Sequence, residues 1–155
     1  MDTTKEQDVR AQALASTQTY LELLRLQAWD QWIELWADAA ILEFPFAPRG
    51  RRHTYQGKSE ILKYMRGTTK SIVVDGVESV RVHPLLDPEK VIAELVIKGH
   101  LLSNHAEYNQ SYVTFFEYEN GKIKHYREYW NPLVSIYAFG DYDAWIQATA
   151  ERDGI

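Results

Sequence analysis

The sequence predicts an α+β fold in which a curved antiparallel sheet wraps around N-terminal helices and forms a cone with a pocket. Helix-like segments come first in the chain, and four strand-like segments then follow in an order typical of an antiparallel meander. Aromatic side chains are abundant, with five Trp, ten Tyr and five Phe. In a chain this small they either fill a core or line a cavity, and we expect one domain covering residues 1–155.

Composition and charge exclude several classes of function. The net charge of −5 argues against general binding to nucleic acids or anionic membranes. The chain has no cysteine, which excludes a disulfide framework and a cysteine nucleophile. The five histidines show no metal-binding spacing, so neither a metal nor another cofactor is expected. No apolar run reaches membrane length and the start, "MDTTKEQDVR", has no signal-peptide core, so we expect a cytoplasmic protein.

Apolar side chains at helical spacing predict the first two helices. The first covers roughly Thr4–Ala28, and its apolar positions are Leu14, Thr17, Leu21, Leu24 and Ala28. Asp30 is the predicted N-cap of the second helix. That helix is predicted to carry one apolar stripe, formed by Trp29, Trp32, Ile33 and Trp36. Three Trp on one stripe are more typical of a core than of a ligand site.

The middle of the chain predicts strands around one short helix. "AAILEFPFAP" predicts a strand that Pro45 ends or confines to a sheet edge, and "RGRRHTYQG" predicts a loop or short strand. "KSEILKYMRG" predicts a helix whose inner face carries Ile61, Leu62 and Met65. Turn signals at "LLDPEK", "SNHAE" and "ENG" separate four further strands. These are predicted at Val77–His83, Val91–Leu102, Tyr108–Tyr118 and Gly121–Trp130.

The end of the chain predicts two short helices. In "NPLVSIYAFG", Asn131 has the N-cap position, Pro132 the first helical position, and Gly140 lies beyond the end. The segment "DYDAWIQATA" predicts one more helix.

The stretch "HYREYWNP" places an acid between aromatic residues on the last strand. Because side chains alternate along a strand, Tyr126, Glu128 and Trp130 share one face and the intervening residues, from His125 onward, share the other. If the first face points inward, desolvation raises the pKa of Glu128 toward the range of a general acid or base. The alternative is an ion pair with a neighbouring lysine or arginine that only holds the sheet.

Two longer stretches, "LWADAAILEFPFAPRGRRHTYQGKSEILKYM" and "VTFFEYENGKIKHYREYWN", resemble the nuclear transport factor 2-like superfamily. Within it they are most similar to the SnoaL-like and ketosteroid-isomerase-like branch, over about Tyr20 to Phe139. The resemblance implies a cystatin-like α+β barrel with a pocket, and a homodimer formed through the convex face of the sheet. It also implies that His125 lies on the outer face, at an interface or the surface. It does not imply one reaction, since this fold hosts isomerases, cyclases, dehydratases and non-catalytic binders.

The last hairpin is most similar to that of the phenazine-biosynthesis A/B proteins, in which a glutamate of a similar strand donates a proton. The matching residue is Glu128. The histidine of their third helix matches Tyr64, and the serine four residues further on matches Thr68. A phenazine-type condensation is therefore not implied.

Ketosteroid isomerase gives a second positional comparison. Its catalytic base matches Phe44, its hydrogen-bonding aspartic acid matches Thr114, and the tryptophan that lines its pocket matches Trp130. The resemblance thus keeps a pocket wall but neither the base nor the acid, so steroid isomerisation is not implied.

These comparisons give a set of candidate site residues. Catalytic candidates are Glu128 for proton transfer and Tyr112 or Tyr64 as hydrogen-bond donors to a substrate oxygen. For a tyrosine here, the alternative is a packed ring whose hydroxyl reaches water. The expected substrate-binding residues are Trp130, Tyr126, Phe44, Thr114, Phe116, Trp32 and Thr68.

Glu43 is a second carboxylate in an apolar strand. Alternation places it on the face opposite Phe44, so we expect it to point away from the pocket. A salt bridge is expected there, with Arg49, Arg51 or Arg52. The register of strand 91–102 relative to the pocket is left open by the sequence.

Three functions remain open from sequence. The first is a cofactor-independent acid–base enzyme of isomerase, cyclase or dehydratase type that acts on a small hydrophobic carbonyl or ring compound, in secondary metabolism. The second is a non-catalytic binder of a small hydrophobic ligand, and the third is a dimeric interaction domain with a vestigial pocket. A buried Glu128 beside a tyrosine hydroxyl favours the enzyme, whereas a Glu128 fully paired with an arginine contradicts it.

Overall fold

The computed structural model describes residues 3–153 and confirms the predicted α+β class. Within that range, α1 and α2 precede a 3-10 turn, and six strands are interrupted by α3 and followed by α4 and α5. The elements are α1 (Thr3–Arg25), α2 (Trp29–Trp32), the 3-10 turn (Ile33–Leu35), β1 (Trp36–Glu43), β2 (Thr54–Gln56), α3 (Lys58–Thr68), β3 (Ile72–Pro84), β4 (Lys90–Leu101), β5 (Gln110–Glu119), β6 (Lys122–Trp130), α4 (Pro132–Phe139) and α5 (Tyr142–Asp153).

The strands form one sheet in the order β2-β1-β6-β5-β4-β3. The predicted antiparallel meander is present as β3 to β6. β1, however, runs parallel to β6, with Leu42 opposite Tyr126, so the sheet is not antiparallel throughout. Local patterns predict that a segment is extended, but they carry no information about the direction of a distant partner.

β3 is longer than predicted and starts at Ile72 instead of Val77. Its pairing with β4 is irregular between Val74 and Gly76 and again between Val77 and Ser79. Such bulges shift the alternation of side chains, which hides the first part of the strand from a period-2 pattern.

The predicted N-cap at Asp30 is wrong. α2 begins at Trp29 after Ala28, which makes no side-chain capping hydrogen bond, and the helix is only four residues long. Trp36 is the first residue of β1, not the last of a helix. Its ring nevertheless lies 5.1 Å from that of Trp32, so the tryptophan stripe forms a core although the backbone changes from helix to strand.

The main core lies between α1 and the inner face of the sheet. Ala13, Thr17 and Tyr20 are the buried side of α1. The Thr17 hydroxyl lies 2.7 Å from the Tyr118 hydroxyl, which satisfies two polar groups that the helix and sheet bury together.

α4 closes the chain over the end of β6 as predicted. The Asn131 side chain accepts a hydrogen bond from the Leu133 N–H at 3.0 Å, with Pro132 at the first position and Gly140 at φ 110° after the end. Gln110, at the start of β5, donates its side-chain N–H to the Asn131 carbonyl at 2.9 Å. The helix is thereby fixed to the sheet at its first turn.

Candidate active site

A cavity of about 150 Å³ lies between the inner face of the sheet, α1, α3 and the C-terminal helices. Its wall is mostly aromatic and aliphatic, and the exposed residues Gln27 and Val74 mark where it meets solvent. Eight of the residues predicted from sequence line it, namely Glu128, Tyr112, Tyr64, Trp130, Tyr126, Phe44, Thr114 and Thr68. Roles for these residues stay predictions.

Small side chains on the neighbouring strands create the space in front of Glu128. Thr114 is opposite Glu128 on β5, and Ala93 is opposite Thr114 on β4. The rows on either side hold larger residues, namely Leu95, Tyr112 and Trp130 on one side and Val91, Phe116 and Tyr126 on the other. The cavity is therefore a gap in one row of an otherwise filled sheet face.

Among the described residues, the Glu128 carboxyl has no cationic partner. Its Oε2 accepts a hydrogen bond of 2.5 Å from the Tyr126 hydroxyl, and no lysine, arginine or histidine of residues 3–153 lines the cavity. Glu128 is half-buried, and the cavity it lines has a mostly apolar wall. Burial raises the pKa of Glu128 to about 7, while the hydrogen bond from Tyr126 opposes the rise.

Several tyrosines around Glu128 stay protonated at neutral pH. Burial raises the pKa of Tyr20 and of Tyr126, and a negative charge on Glu128 raises both pKa values further. Burial also raises the pKa of Tyr112, followed by the effects of Tyr108 and then Glu128. These hydroxyls therefore act as hydrogen-bond donors, not as bases.

Three of the predicted binding residues already use their hydroxyl protons within the protein. Thr114 donates to the Ala93 carbonyl at 3.1 Å, Thr68 donates to the Tyr64 carbonyl at 3.2 Å, and Tyr126 donates to Glu128. Tyr112 makes no such bond to a carbonyl or carboxylate among the described residues; its hydroxyl is hydrogen-bonded to that of Tyr108. Because a bond between two hydroxyls can reverse its direction, Tyr112 stays a candidate donor to a ligand.

Phe116 and Trp32 do not line the cavity. The Phe116 ring packs 4.9 Å from Tyr20 and 5.0 Å from Tyr126. Trp32 is fully buried against the other side of Tyr20, at 5.4 Å. Alternation gives the correct face of the sheet for Phe116, but it does not give depth, and both rings lie in the core beneath the cavity.

The sequence-based prediction missed four buried cavity residues with hydrogen-bonding or stacking capacity. These are Tyr20, Tyr108, Ser135 and Trp145. Trp145 packs against Trp130 at 5.9 Å, and the Tyr108 hydroxyl lies 3.2 Å from the Ser135 hydroxyl. A polar residue inside the apolar helix "PLVSIYAF" is a signal from which Ser135 could have been found.

Glu43 and His125 lie on the outer face of the sheet and pair with each other. The distance from Glu43 Oε2 to His125 Nε2 is 2.8 Å, and both side chains are half-exposed. The prediction that Glu43 points away from the cavity is correct, but the arginine partner is wrong. Parallel pairing of β1 with β6 brings the histidine beside it, and that pairing was not foreseen.

The structure defines the register of β4 relative to the cavity. Leu95 and Ile97 face the cavity. The polar residues of opposite parity pair outside it, with distances of 2.7 Å for Glu94 to His83, 3.5 Å for Lys98 to Glu78, and 2.8 Å for His100 to Asp75.

Metal sites and membrane-spanning helices are both absent from residues 3–153. No three or more His, Asp or Glu side chains there are grouped so as to hold a metal ion. None of the helices in that range combines the length and apolar character needed to cross a membrane.

The SnoaL-like domain family matches residues 17–126. The uncharacterized protein YesE of Bacillus subtilis is 39% identical over 109 residues, which cover 70% of this chain and 74% of YesE. An uncharacterized PhzA/B-like protein of Pseudomonas aeruginosa is 29% identical over 113 residues, which cover 73% of this chain and 79% of that protein.

Solved structures give the same result. A Bacillus subtilis protein provisionally described as an isomerase aligns with a TM-score of 0.79 and 33% identity, over 85% of this chain and 95% of that chain. A phenazine biosynthesis-related protein of Pseudomonas aeruginosa aligns with a TM-score of 0.74 and 18% identity, over 90% and 92% of the two chains. At this lower identity the likeness shows the fold alone. The sequence resemblance is thus confirmed, and the chain belongs to the SnoaL-like domain family, with the nuclear transport factor 2-like fold.

Proposed function

We propose that the protein is an acid–base enzyme that needs no cofactor and acts on a small, largely apolar carbonyl or ring compound. The reaction type is isomerisation, cyclisation or dehydration through an enol-like intermediate. The observation that carries this proposal is Glu128, a carboxyl that lines an aromatic cavity, has no cationic partner among residues 3–153, and has a pKa of about 7. A group with such a pKa populates both its acid and its base form near neutral pH.

In the proposed reaction, Glu128 removes one proton from the substrate and later returns it, so no second acid or base is needed. The Glu128 carboxylate takes a proton from the carbon next to the substrate carbonyl, and the C–H electrons move to form an enolate. Tyr112 donates a hydrogen bond to the enolate oxygen. The protonated Glu128 then returns its proton to the same carbon or to another carbon of the conjugated system.

The comparisons support this class of reaction without defining the substrate. The Bacillus subtilis protein at 33% identity is provisionally described as an isomerase. A Xanthomonas campestris protein provisionally described as a polyketide cyclase shares the fold alone, with a TM-score of 0.74 and 19% identity over 84% of this chain and 98% of that chain.

Hydrogen exchange in D2O tests the proposal without knowledge of the natural substrate. The native protein is expected to accelerate, saturably, the exchange of α-hydrogens of 1-tetralone, followed by mass spectrometry. Glu128→Gln keeps the shape of the side chain but cannot accept the proton, so we expect a loss of roughly 100-fold or more. If 1-tetralone binds but its hydrogen exchange is not accelerated, the proposed enzyme function is wrong and a non-catalytic ligand-binding protein is favoured.

The outer face of the sheet supports the proposal of a homodimer. Phe46 is 60% exposed and Val113 is 38% exposed, and Tyr129 stacks edge-on to Phe46 at 5.0 Å. A second copy of the chain covers this face in the proposed dimer. Sedimentation equilibrium is expected to give a dimer for the native protein and a monomer for Phe46→Asp, and a monomeric native protein would contradict the proposal.

A further inference from the structure

A second polar group lines the cavity, apart from Glu128. Tyr108, just before β5, and Ser135, on α4, are 5% and 3% exposed, and their hydroxyl oxygens are 3.2 Å apart. Tyr112 lies on the same strand face as Tyr108 and is opposite Trp130, one row away from Glu128. All three hydroxyl-bearing residues line the cavity.

The three hydroxyls of this group carry more protons than the hydrogen bonds among them use. Each hydroxyl carries one proton and two acceptor lone pairs. The bond between Tyr108 and Ser135 uses one of their two protons, whichever residue donates it. The hydroxyls of Tyr112 and Tyr108 are also hydrogen-bonded, so the three hydroxyls form a chain whose two bonds use two of their three protons. The third proton has no acceptor within the group and is available for a ligand in the cavity.

The surrounding structure holds these hydroxyls in place. The first turn of α4 is bound to the sheet through Gln110, whose side-chain oxygen also accepts the Asn131 N–H at 3.1 Å. The last turn is bound by Asn104, which donates to the Ala138 carbonyl at 3.0 Å. Ser135 lies between these two anchors, which limit its movement away from Tyr108.

Tyr108 is fixed from the opposite side. Its N–H donates to the Gly99 carbonyl at 2.8 Å. A Cβ added at Gly99 would lie 2.4 Å from the Val73 carbonyl oxygen and 3.3 Å from that of Tyr108. Glycine therefore allows β3, β4 and the Tyr108 segment to approach this closely, which is typical of a preorganised site.

We propose that Tyr108 and Ser135, together with Tyr112, form an oxygen-binding subsite that selects oxygenated ring compounds over hydrocarbons of the same shape. The subsite supplies a second hydrogen bond to the oxygen that Tyr112 contacts. The inference rests on the proposed function in taking a ketone as ligand. It predicts binding selectivity, which is measured independently of turnover.

Tetralin and 1-tetralone differ by one carbonyl oxygen on the same skeleton and are the probes. In isothermal titration calorimetry we expect the native protein to bind 1-tetralone about tenfold more tightly than tetralin. Ser135→Ala and Tyr108→Phe each reduce that ratio by roughly five- to tenfold. Their affinity for tetralin stays within about twofold of native, because the apolar wall is unchanged, which also shows that the variants are folded.

Tyr118→Phe is the matched control, because it removes a buried tyrosine hydroxyl that bonds Thr17 outside the cavity. It should leave the ratio unchanged. The proposed subsite is wrong if the native protein does not bind 1-tetralone more tightly than tetralin. It is also wrong if Ser135→Ala and Tyr108→Phe keep the native ratio of the two affinities, or lose no more of that ratio than Tyr118→Phe does. The proposed reaction fails separately, if Glu128→Gln retains α-hydrogen exchange.

Discussion

The Glu128 carboxyl has two chemically different oxygens because Tyr126 donates a hydrogen bond to only one of them. Oε2 accepts that bond at 2.5 Å, which leaves Oε1 as the oxygen that can exchange a proton with a ligand. Tyr126 was predicted from sequence as a substrate-binding residue. Its hydroxyl donates to the Glu128 carboxylate, so we propose that Tyr126 positions Glu128.

Tyr126→Phe tests this role through pH dependence. The hydrogen bond from Tyr126 lowers the pKa of Glu128, so its removal should raise the pKa above the native value of about 7. The inflection of α-hydrogen exchange against pH then moves to higher pH. At neutral pH the rate falls on the order of fivefold if the pKa rises by about one unit. Tyr118→Phe serves as control, and an unmoved inflection in Tyr126→Phe would argue against the positioning role.

Glu128 also couples the stability of the fold to pH. Its pKa is about 7 in the folded protein and has an ordinary value of 4.5, so the folded state binds the proton more tightly than the unfolded state. The free energy of unfolding therefore falls as pH rises from about 4.5 to about 7, by roughly 2–3 kcal/mol, and levels off above that range.

Glu128→Gln removes this titration. Relative to the native protein, we expect the variant to gain roughly 2–3 kcal/mol of unfolding free energy between pH 4.5 and pH 8, measured by urea denaturation. Glu119→Gln, an exposed strand-end residue, is the control for loss of one carboxyl. A native-to-variant difference that is the same at both pH values would falsify the assignment of the raised pKa to Glu128.

The position of a single residue was predictable from sequence where side-chain alternation alone decides the face of the sheet it occupies. It was not predictable where the answer depends on how deep in the core the side chain lies. Alternation along β6 places Glu128 and Trp130 inward, as the cavity shows. The same rule cannot tell that Phe116 lies one row deeper, in contact with Tyr20. Partner identity can also be non-local, as for Glu43, whose partner His125 is 82 residues away in the chain.

At the scale of elements, α4 carries part of the proposed subsite and depends on its first turn. The Asn131 side chain caps the helix, and caps of this kind contribute about 1 kcal/mol. Asn131→Ala should therefore lower the free energy of unfolding by about 1 kcal/mol, measured by urea denaturation. Asn131→Asp keeps a capping oxygen and should lose less, while equal losses in both variants would show that the cap is not what matters.

Elements with explicit end signals were predictable, and those set by distant contacts were not. α4 has its N-cap, proline and terminal glycine in sequence, and its observed bounds follow them. α2 has no side-chain cap and is a single turn, because the strand that follows recruits Trp36 into the sheet. Tertiary pairing thus overrides the helical spacing of the tryptophans.

At the scale of the whole molecule, charge separates the ligands that the cavity can accept. The chain has a net charge of −5, and its cavity offers one carboxyl and no cation from residues 3–153. An anionic ligand would lose its hydration without gaining a counter-ion. Neutral compounds are therefore expected to bind in preference to their carboxylate analogues.

This preference is measurable with a matched pair. We expect 1,2,3,4-tetrahydro-1-naphthoate to bind at least roughly tenfold more weakly than 1-tetralone at pH 8, measured by calorimetry. Glu128→Gln removes the repulsion and should narrow the gap. Equal binding of the two compounds to the native protein would rule out a cavity selective for neutral ligands.

The overall architecture was predictable because several weak signals agree on it. Order of elements, turn residues and the family resemblance all indicate a sheet around helices, and the structure has that arrangement. The parallel neighbour of β6 could not be read from such signals, since it depends on closure of the whole chain.

The pairing of β1 with β6 affects when the cavity can form during synthesis of the protein. β1 meets β6 across the Glu43–His125 pair, whose members are 82 residues apart in the chain. Contacts of this range form late, because the entropy of closing a long loop must be overcome first. During synthesis, α1 and β1 emerge well before the strand that completes the wall. A nascent chain that ends before β6 therefore lacks Glu128, Tyr126 and Trp130 together, and the cavity is complete only when α4 and α5 have added Ser135 and Trp145 to its wall.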